Sequence, residues 1–271
     1  MDEQRFTNAC QLVEDGKLTE AYDEFLQIAE TTPETLDKAR VLLYAAHTLQ
    51  ALGDEELATR KLDSARALIE EYKRSGPVQD EKLHASELFL EFEDANLLWI
   101  RGGNRETALN RFEAILKKHA SALKDPGNPY LYQGIQTRRA FILADLGRWK
   151  EALPILEGTE SPQEYKEGVA FYLGHCYSSA QDFDKAEQKL HEALSLGLPR
   201  HLEHKAHCEL GVAYYNLGDY AKAREEFERG AQMADASYIK ESQVWRWLEL
   251  TCRALGLKTE AEQYARMANP S

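Results

Sequence analysis

The strongest constraint on the fold is a spacing that recurs along the whole chain. Glycine is followed five residues later by alanine in six places: Gly16 with Ala21, Gly53 with Ala58, Gly103 with Ala108, Gly147 with Ala152, Gly218 with Ala223 and Gly256 with Ala261. Gln181 with Ala186 makes a seventh pair without glycine. A period of 34 to 50 residues is typical of arrays in which each repeat is one supersecondary unit.

Apolar residues flank each of these seven pairs at fixed distances. Four residues before the glycine or Gln181, the chain carries Leu12, Leu49, Trp99, Leu143, Tyr177, Tyr214 and Cys252. Nine residues after it, the chain carries Phe25, Leu62, Phe112, Leu156, Leu190, Phe227 and Ala265. Within each repeat the apolar residues on both sides follow helical spacing, so each repeat is predicted to be two helices joined by a turn.

The sixth repeat shows why these residue types are needed. Gly218 ends the first helix, because glycine adopts the left-handed conformation without steric cost, and Asp219 can cap the second. Gly211 and Ala223 carry little or no side chain where the two helices meet, and Phe227 covers the gap between them. The pattern therefore predicts a closely packed antiparallel helical hairpin.

One hairpin cannot bury its apolar stripe alone, so neighbouring hairpins must stack to complete the core. We expect an all-α, right-handed superhelical solenoid of about seven hairpins that forms a single domain over residues 1–271. The hairpins are predicted to begin near residues 2, 39, 89, 133, 167, 204 and 242.

The order Leu-Gly, Tyr, Ala, Phe in the sixth repeat resembles the tetratricopeptide repeat family, whose unit is a 34-residue helix–turn–helix. The resemblance covers nearly the whole chain. The family's terminal proline is present as Pro33, with Pro199 close to its place in the fifth repeat, and its early tryptophan is present as Trp245. The resemblance implies a concave groove, lined by the first helices of successive repeats, that holds peptides or partner segments.

Some repeats depart from this pattern. Only one interval between successive pairs is 34 residues long, and the segments KRSGPVQDEK and KDPGNPY are predicted to be longer loops and candidate hinges. The last repeat has Glu249 where a small residue is expected and Ala265 where phenylalanine is expected. A terminal cap or a contact for self-association would allow both departures.

The charge and the cysteines exclude several function classes. The net charge is −13, which disfavours nucleic-acid partners and anionic membrane surfaces, since both attract cations. The four cysteines lie far apart, as expected in a reducing compartment. The sequence offers no secretion signal and no run of 18 uncharged apolar residues. We therefore expect a soluble cytoplasmic protein.

The sequence has no phosphate-binding glycine loop, nucleophile elbow or HExxH motif, so we expect neither an enzyme nor a cofactor. His201, His204 and Cys208 share a helical face that could bind zinc, but a closed site needs a fourth ligand, so packing and surface roles are preferred. Cys176 beside His175 could be read as a nucleophile, and we interpret it as a buried thiol.

Carried over by repeat position, the resemblance implies the residues of the groove. The predicted partner-binding residues are Tyr44, His47, Arg138, Phe141, Phe171, His175, Cys208, Tyr215, Arg246 and Trp247. Phe171 with Tyr215 is the preferred pair. For each residue, the alternative is packing against a neighbouring helix.

Chaperone-binding members of this family hold a peptide carboxylate with lysine, arginine and asparagine at set positions. Here only Arg138 approaches that set, so a heat-shock-chaperone adaptor is not expected. We predict a non-enzymatic scaffold that binds a protein or peptide partner in the groove. The alternatives are a regulatory or sensor protein that binds a small molecule or signalling peptide there, and self-association through the last repeat.

Overall fold

The computed structural model of the chain describes residues 1–75, 80–102, 104–124, 129–158, 165–233 and 243–269. Within these ranges the regular structure is helical throughout, with a 3-10 helix at Ala122–Lys124 and fourteen α-helices. No helix in the described ranges combines the length and apolar character needed to cross a membrane.

The α-helices of the described ranges follow one another as seven helix–turn–helix pairs, which agrees with the predicted number of hairpins and confirms the all-α class. Their bounds are α1 Glu3–Glu14, α2 Leu18–Thr31, α3 Thr35–Leu52, α4 Glu55–Ser75, α5 Glu81–Ile100, α6 Arg105–Lys118, α7 Pro129–Asp145, α8 Trp149–Gly158, α9 Lys166–Ser179, α10 Phe183–Leu196, α11 Arg200–Leu217, α12 Tyr220–Met233, α13 Val244–Ala254 and α14 Lys258–Ala268.

The turns inside six of the described hairpins share one geometry. In the sixth hairpin Gly218 has φ +84°, its N–H donates to the Tyr215 carbonyl at 3.2 Å, and the Asp219 N–H donates to the Tyr214 carbonyl at 2.9 Å. These two bonds satisfy carbonyls that the helix end would leave unpaired. The same pair of bonds surrounds Gly16, Gly53, Gly147, Gln181 and Gly256.

Gln181 occupies the left-handed position of the fifth turn with φ +63°. A side chain is strained there, so replacing Gln181 with glycine is expected to raise the free energy of unfolding by about 1 kcal/mol. The same substitution at exposed Gln188, inside helix α10 of that hairpin, is expected to lower it by about 1 kcal/mol. Urea denaturation measures the change in the free energy of unfolding of both variants. A loss of stability on Gln181→Gly would contradict the turn geometry.

The third turn differs from the others by one residue. Gly102 has φ +64°, and Asn104 caps helix α6 by accepting the Thr107 N–H at 3.2 Å. In the other turns the residue directly after the left-handed one precedes the second helix. The predicted turn residue Gly103 lies outside the described residues, so the repeat positions on α5 are counted back from Gly102, one residue earlier than predicted.

The interior confirms the predicted role of the small residues. All seven repeat alanines are 0–3% exposed. A Cβ added to Gly211 would lie 2.6 Å from the Phe227 ring, so only glycine allows α11 and α12 to approach this closely. In the last hairpin Ala265 is half-buried, and buried Glu249 pairs with Arg253 at 2.7 Å.

The described chain divides into two compact units. Of the described residues, those up to residue 142 form unit 1, and those from residue 143 onward form unit 2. The boundary falls within helix α7. The prediction of a single domain stays a prediction, and the two predicted hinge loops lie partly outside the described residues.

Candidate functional site

The predicted binding residues lie on the first helices of the hairpins, but they belong to different units. Tyr44, His47, Arg138 and Phe141 lie in unit 1. The other six, which are Phe171, His175, Cys208, Tyr215, Arg246 and Trp247, lie in unit 2.

Tyr44 is half-buried and packs between consecutive hairpins of unit 1. Its ring centroid lies 4.9 Å from that of Phe6 on α1 and 4.9 Å from that of Phe89 on α5, both in edge-on geometry. Such pairs add stability beyond the area that they bury. Tyr44 therefore contributes to the stacking of three successive hairpins.

His47 belongs to a polar network between α3 and α5. Its Nδ1 lies 2.9 Å from Glu93 Oε1, and Gln50 donates to Glu93 Oε2 at 2.7 Å. Asn96 in turn donates to Gln50 Oε1 at 2.6 Å. The Glu93 side chain is 0% exposed, so these contacts stabilise a carboxylate that burial alone would disfavour.

Arg138 lies against aromatic rings rather than in an open cation site. Its guanidinium carbon is 5.2 Å from the Trp99 ring centroid and 6.0 Å from that of Phe141. Phe141 is 2% exposed. The stack is a cation–π contact that joins α5 and α7 within unit 1.

In unit 2, His175 contacts the next first helix. Its Nδ1 lies 2.8 Å from Glu209 Oε1. Burial lowers the pKa of His175, but the hydrogen bond to Glu209 and the negative charges of Glu209 and Asp145 outweigh burial, so the pKa is raised above its ordinary value. The Tyr172 hydroxyl donates to Asp145 at 3.2 Å.

Phe171 and Cys208 are buried, at 4% and 7% exposure. The Phe171 ring packs edge-on against Tyr172 with centroids 5.1 Å apart. Cys208 Sγ lies 2.6 Å from the position that a Gly230 Cβ would occupy, so it fills the contact between α11 and α12. Phe141, Phe171 and Cys208 therefore lie beneath the surface. A binding role for these three residues stays a prediction.

Tyr215 and Trp247 keep part of their aromatic surface open. Both are half-buried, and their centroids lie 5.4 Å apart in edge-on geometry. Trp247 also stacks on buried Phe227 at 5.8 Å with an interplanar angle of 13°. Phe227 therefore supports the tryptophan from below and fixes the orientation of this pair.

Polar and aliphatic side chains continue this open region on the same two helices. Val212 on α11 and Leu250 on α13 are half-buried, and Arg246 on α13 is exposed. Arg246 makes no ion pair with any described residue. We call Val212, Tyr215, Arg246, Trp247 and Leu250 the unit-2 surface.

The candidate zinc and nucleophile sites do not gain support from the geometry. The described residues contain no group of three or more potential ligands close enough to hold a metal ion, and the His201 side chain lies outside them. His204 Nδ1 contacts the Arg200 carbonyl at 3.2 Å. Cys176 is 0% exposed, and burial raises its thiol pKa to about 12, which confirms a packed thiol.

Sequence reasoning missed the carboxylates that pair with the two histidines. Glu93 and Glu209 each lie nine residues before a left-handed turn residue, Gly102 and Gly218. Because glutamate is common on the solvated faces of helices, its charge gives no sign of this contact. The equal distance of Glu93 from Gly102 and of Glu209 from Gly218 is the sequence signal that could have indicated both contacts.

Comparisons with known proteins agree with this geometry. The family model of the tetratricopeptide repeat matches residues 204–236, which form most of α11 and all of α12. No curated protein sequence matches the chain. A solved tetratricopeptide repeat protein from Parabacteroides merdae is 14% identical over 98% of this chain and 91% of its own, with a TM-score of 0.44, too low to carry an argument.

Two solved structures share the fold more closely. PilW, described as a widely conserved type IV pilus biogenesis factor, is 16% identical over 85% of this chain and 93% of its own, with a TM-score of 0.53. PilF from Pseudomonas aeruginosa is 14% identical over 87% of this chain and 94% of its own, with a TM-score of 0.53. At this identity the likeness concerns the fold alone. The chain thus carries a tetratricopeptide repeat at residues 204–236, within an array of helical hairpins that shares its fold with these structures.

Proposed function

We propose that the protein is a non-enzymatic scaffold that binds a peptide or partner segment on the unit-2 surface. The observation that carries the proposal is the half-open pair of Tyr215 and Trp247 with exposed Arg246 beside it. Tetratricopeptide repeat proteins generally act as protein-interaction scaffolds, which supports the class of function.

The residue types of this surface suit protein binding. Tryptophan, tyrosine and arginine are the residues that contribute most often to hot spots, because they bury large areas and also form polar contacts. Trp247 is already held by Phe227 and Tyr215. Binding a partner would therefore restrict the Trp247 side chain little further, which lowers the entropic cost of binding.

The partner proposed here presents an apolar or aromatic side chain to Tyr215 and Trp247 and a polar or acidic group to Arg246. Two other polar side chains of unit 2 already have partners within the protein: His175 contacts Glu209, and the Tyr172 hydroxyl donates to Asp145. Recognition would accordingly depend more on apolar contact than on the charged ends of a peptide. We place the protein in the cytoplasm, because its four cysteines are free thiols.

The test uses peptides selected from a random library on the full chain, with affinities measured by fluorescence anisotropy. Replacing Tyr215 with serine is expected to weaken binding about tenfold or more, since a hot-spot residue contributes 2 kcal/mol or more. The matched control is Tyr132→Ser, because Tyr132 is 41% exposed on α7, away from this surface in the sequence.

Equal affinity of the wild type and the Tyr215→Ser variant would contradict the proposed site, as would failure to select any peptide. Circular dichroism of both variants checks that they are folded. The buried Phe171 is left unchanged, since its replacement would reduce stability as well as binding.

A further inference from the structure

A histidine and a glutamate connect consecutive hairpins in unit 2. His175 lies on α9, six residues before the left-handed Gln181, and Glu209 lies on α11, nine residues before the left-handed Gly218. The Nδ1 and Oε1 atoms are 2.8 Å apart. Since α9 and α11 begin successive hairpins, this contact joins one repeat to the next.

The same pair occurs at the same repeat positions in unit 1. His47 lies on α3, six residues before the left-handed Gly53, and Glu93 lies on α5, nine residues before Gly102. The Nδ1 and Oε1 atoms are 2.9 Å apart. Two units thus repeat one contact at equivalent places, so the contact follows from the repeat geometry and not from a local accident of packing.

The surroundings of the His175 ring favour a positive charge. His175 faces the Glu209 carboxylate from α11, and Asp145 and the Ala144 carbonyl from α7. Its own helix supplies the Phe171 ring, stacked at 6.5 Å. Among the described residues, no lysine or arginine forms an ion pair with Glu209, so His175 is its ion-pair partner there.

In unit 1 the burial is deeper. The Glu93 side chain is 0% exposed and that of His47 is 15% exposed. The centroid of the Phe89 ring on α5 lies 6.3 Å from that of the His47 ring. Gln50 on α3 donates a hydrogen bond to the second Glu93 oxygen. A buried carboxylate gains most from a cationic partner, because the local dielectric is low.

We propose that these two His–Glu contacts are a pH-sensitive device that sets how tightly consecutive hairpins stack within each unit. Protonation of the imidazole places a positive charge opposite the ionised glutamate, so a hydrogen bond with one ionised partner becomes one between two opposite charges, which is stronger. Loss of that proton weakens the contact without removing any side chain. The inference goes beyond partner binding, since it concerns the free protein and holds whatever the unit-2 surface binds.

The direction of the effect follows from the pKa of His175. The folded protein raises this pKa above the ordinary value, which is about 6.5 in an unfolded chain. The stabilisation is therefore fully present below about pH 6.5 and is lost as the pH rises through the folded pKa. Stacking of the α9–α10 and α11–α12 hairpins is expected to be tighter in mildly acidic than in alkaline solution.

Amide hydrogen exchange of the full chain at pH 6.0 and pH 8.0 tests the proposal, after correction for the intrinsic exchange rate. Protection of α9 and α11 is expected to be about twofold or more higher at pH 6.0, because the pKa of His175 is raised in the folded protein and the added stability is present at the lower pH. In the His175→Gln variant this ratio is expected to fall to about one, and His47→Gln is expected to do the same for α3 and α5.

The matched control is His191→Gln. The His191 side chain is 51% exposed on α10 and contacts the Tyr214 hydroxyl at 2.8 Å, so its own contact lies outside the two pairs. This variant is expected to keep the pH ratio in α9 and α11. In the His175→Gln variant, the glutamine keeps a hydrogen-bond donor toward Glu209. Glu209→Gln is a second variant, which removes the negative charge of the pair.

Two results would overturn the proposal. One is equal protection of α9 and α11 in the wild type at the two pH values. The other is an unchanged pH ratio in folded His175→Gln or Glu209→Gln protein. A ratio of protection between pH 6.0 and pH 8.0 that falls to about one in both variants, and is retained in His191→Gln, supports the proposal.

Discussion

Replacing Phe227 with alanine is expected to lower the free energy of unfolding by about 3–5 kcal/mol, as is usual for a fully buried phenylalanine. The Phe227 side chain is 1% exposed. It fills the space above Gly211 and stacks on Trp247 at 5.8 Å. Its removal leaves a cavity between α11 and α12 and withdraws support from the unit-2 surface.

Urea denaturation followed by circular dichroism measures this loss. The matched control is Phe183→Ala, because Phe183 is half-buried at the start of α10 in the same unit. The control is expected to lose about 1 kcal/mol, in proportion to the smaller apolar area that it buries. A loss of less than about 1.5 kcal/mol on Phe227→Ala would show that the two helices do not depend on this side chain.

Replacing Gly211 with alanine is expected to lower the free energy of unfolding by about 2–3 kcal/mol, because the added methyl group overpacks the interior. The new Cβ would lie 2.6 Å from Cδ1 of Phe227, 2.7 Å from Cε1 and 2.8 Å from Cγ. Alanine favours a helix over glycine by about 1 kcal/mol, so a net loss shows that the clash is the larger effect.

Gly158→Ala is the matched control, since no atom lies within 4 Å of its added Cβ. It is expected to leave the stability unchanged or to raise it slightly. Combining Gly211→Ala with Phe227→Ala is expected to cost less than the sum of the two, because the methyl group then enters the cavity that the ring has left. Strictly additive losses would contradict the direct contact.

The hairpins could be predicted from sequence because they depend on local spacing. A left-handed turn residue, an alanine five residues on and a large apolar residue four positions later define both helices of one unit, as Gly218, Ala223 and Phe227 do. The structure buries Ala223 at 0% and Phe227 at 1% exposure. Each of these constraints acts within one repeat, so no information from the rest of the fold is needed.

The third turn could not be predicted in the same way. Gly102 and Gly103 are adjacent, and either could adopt the left-handed conformation without strain. Gly102 is left-handed, and Gly103 lies outside the described residues. Counted from Gly102, Glu93 takes the repeat position of Glu209, and its contact with His47 joins two hairpins, which local spacing does not encode.

The binding residues depend on how far each first helix is covered by its neighbours. Repeat position alone treats Phe171 and Tyr215 as equals, yet Phe171 is buried at 4% exposure and Tyr215 is half-buried. The Phe171 ring packs against Tyr172 and His175, whereas the Tyr215 ring packs against Tyr220 and Trp247. Which candidates keep open surface could be known only from the packed structure.

Site-specific photocrosslinking in cells tests partner binding at the unit-2 surface. A photoreactive phenylalanine analogue replaces exposed Arg246 on α13 or, as the control, exposed Arg60 on α4. We expect a partner adduct from position 246 that disappears when Tyr215→Ser is added, and no such adduct from position 60. An adduct from position 246 that persists in the Tyr215→Ser protein, or adducts from position 60 alone, would contradict it.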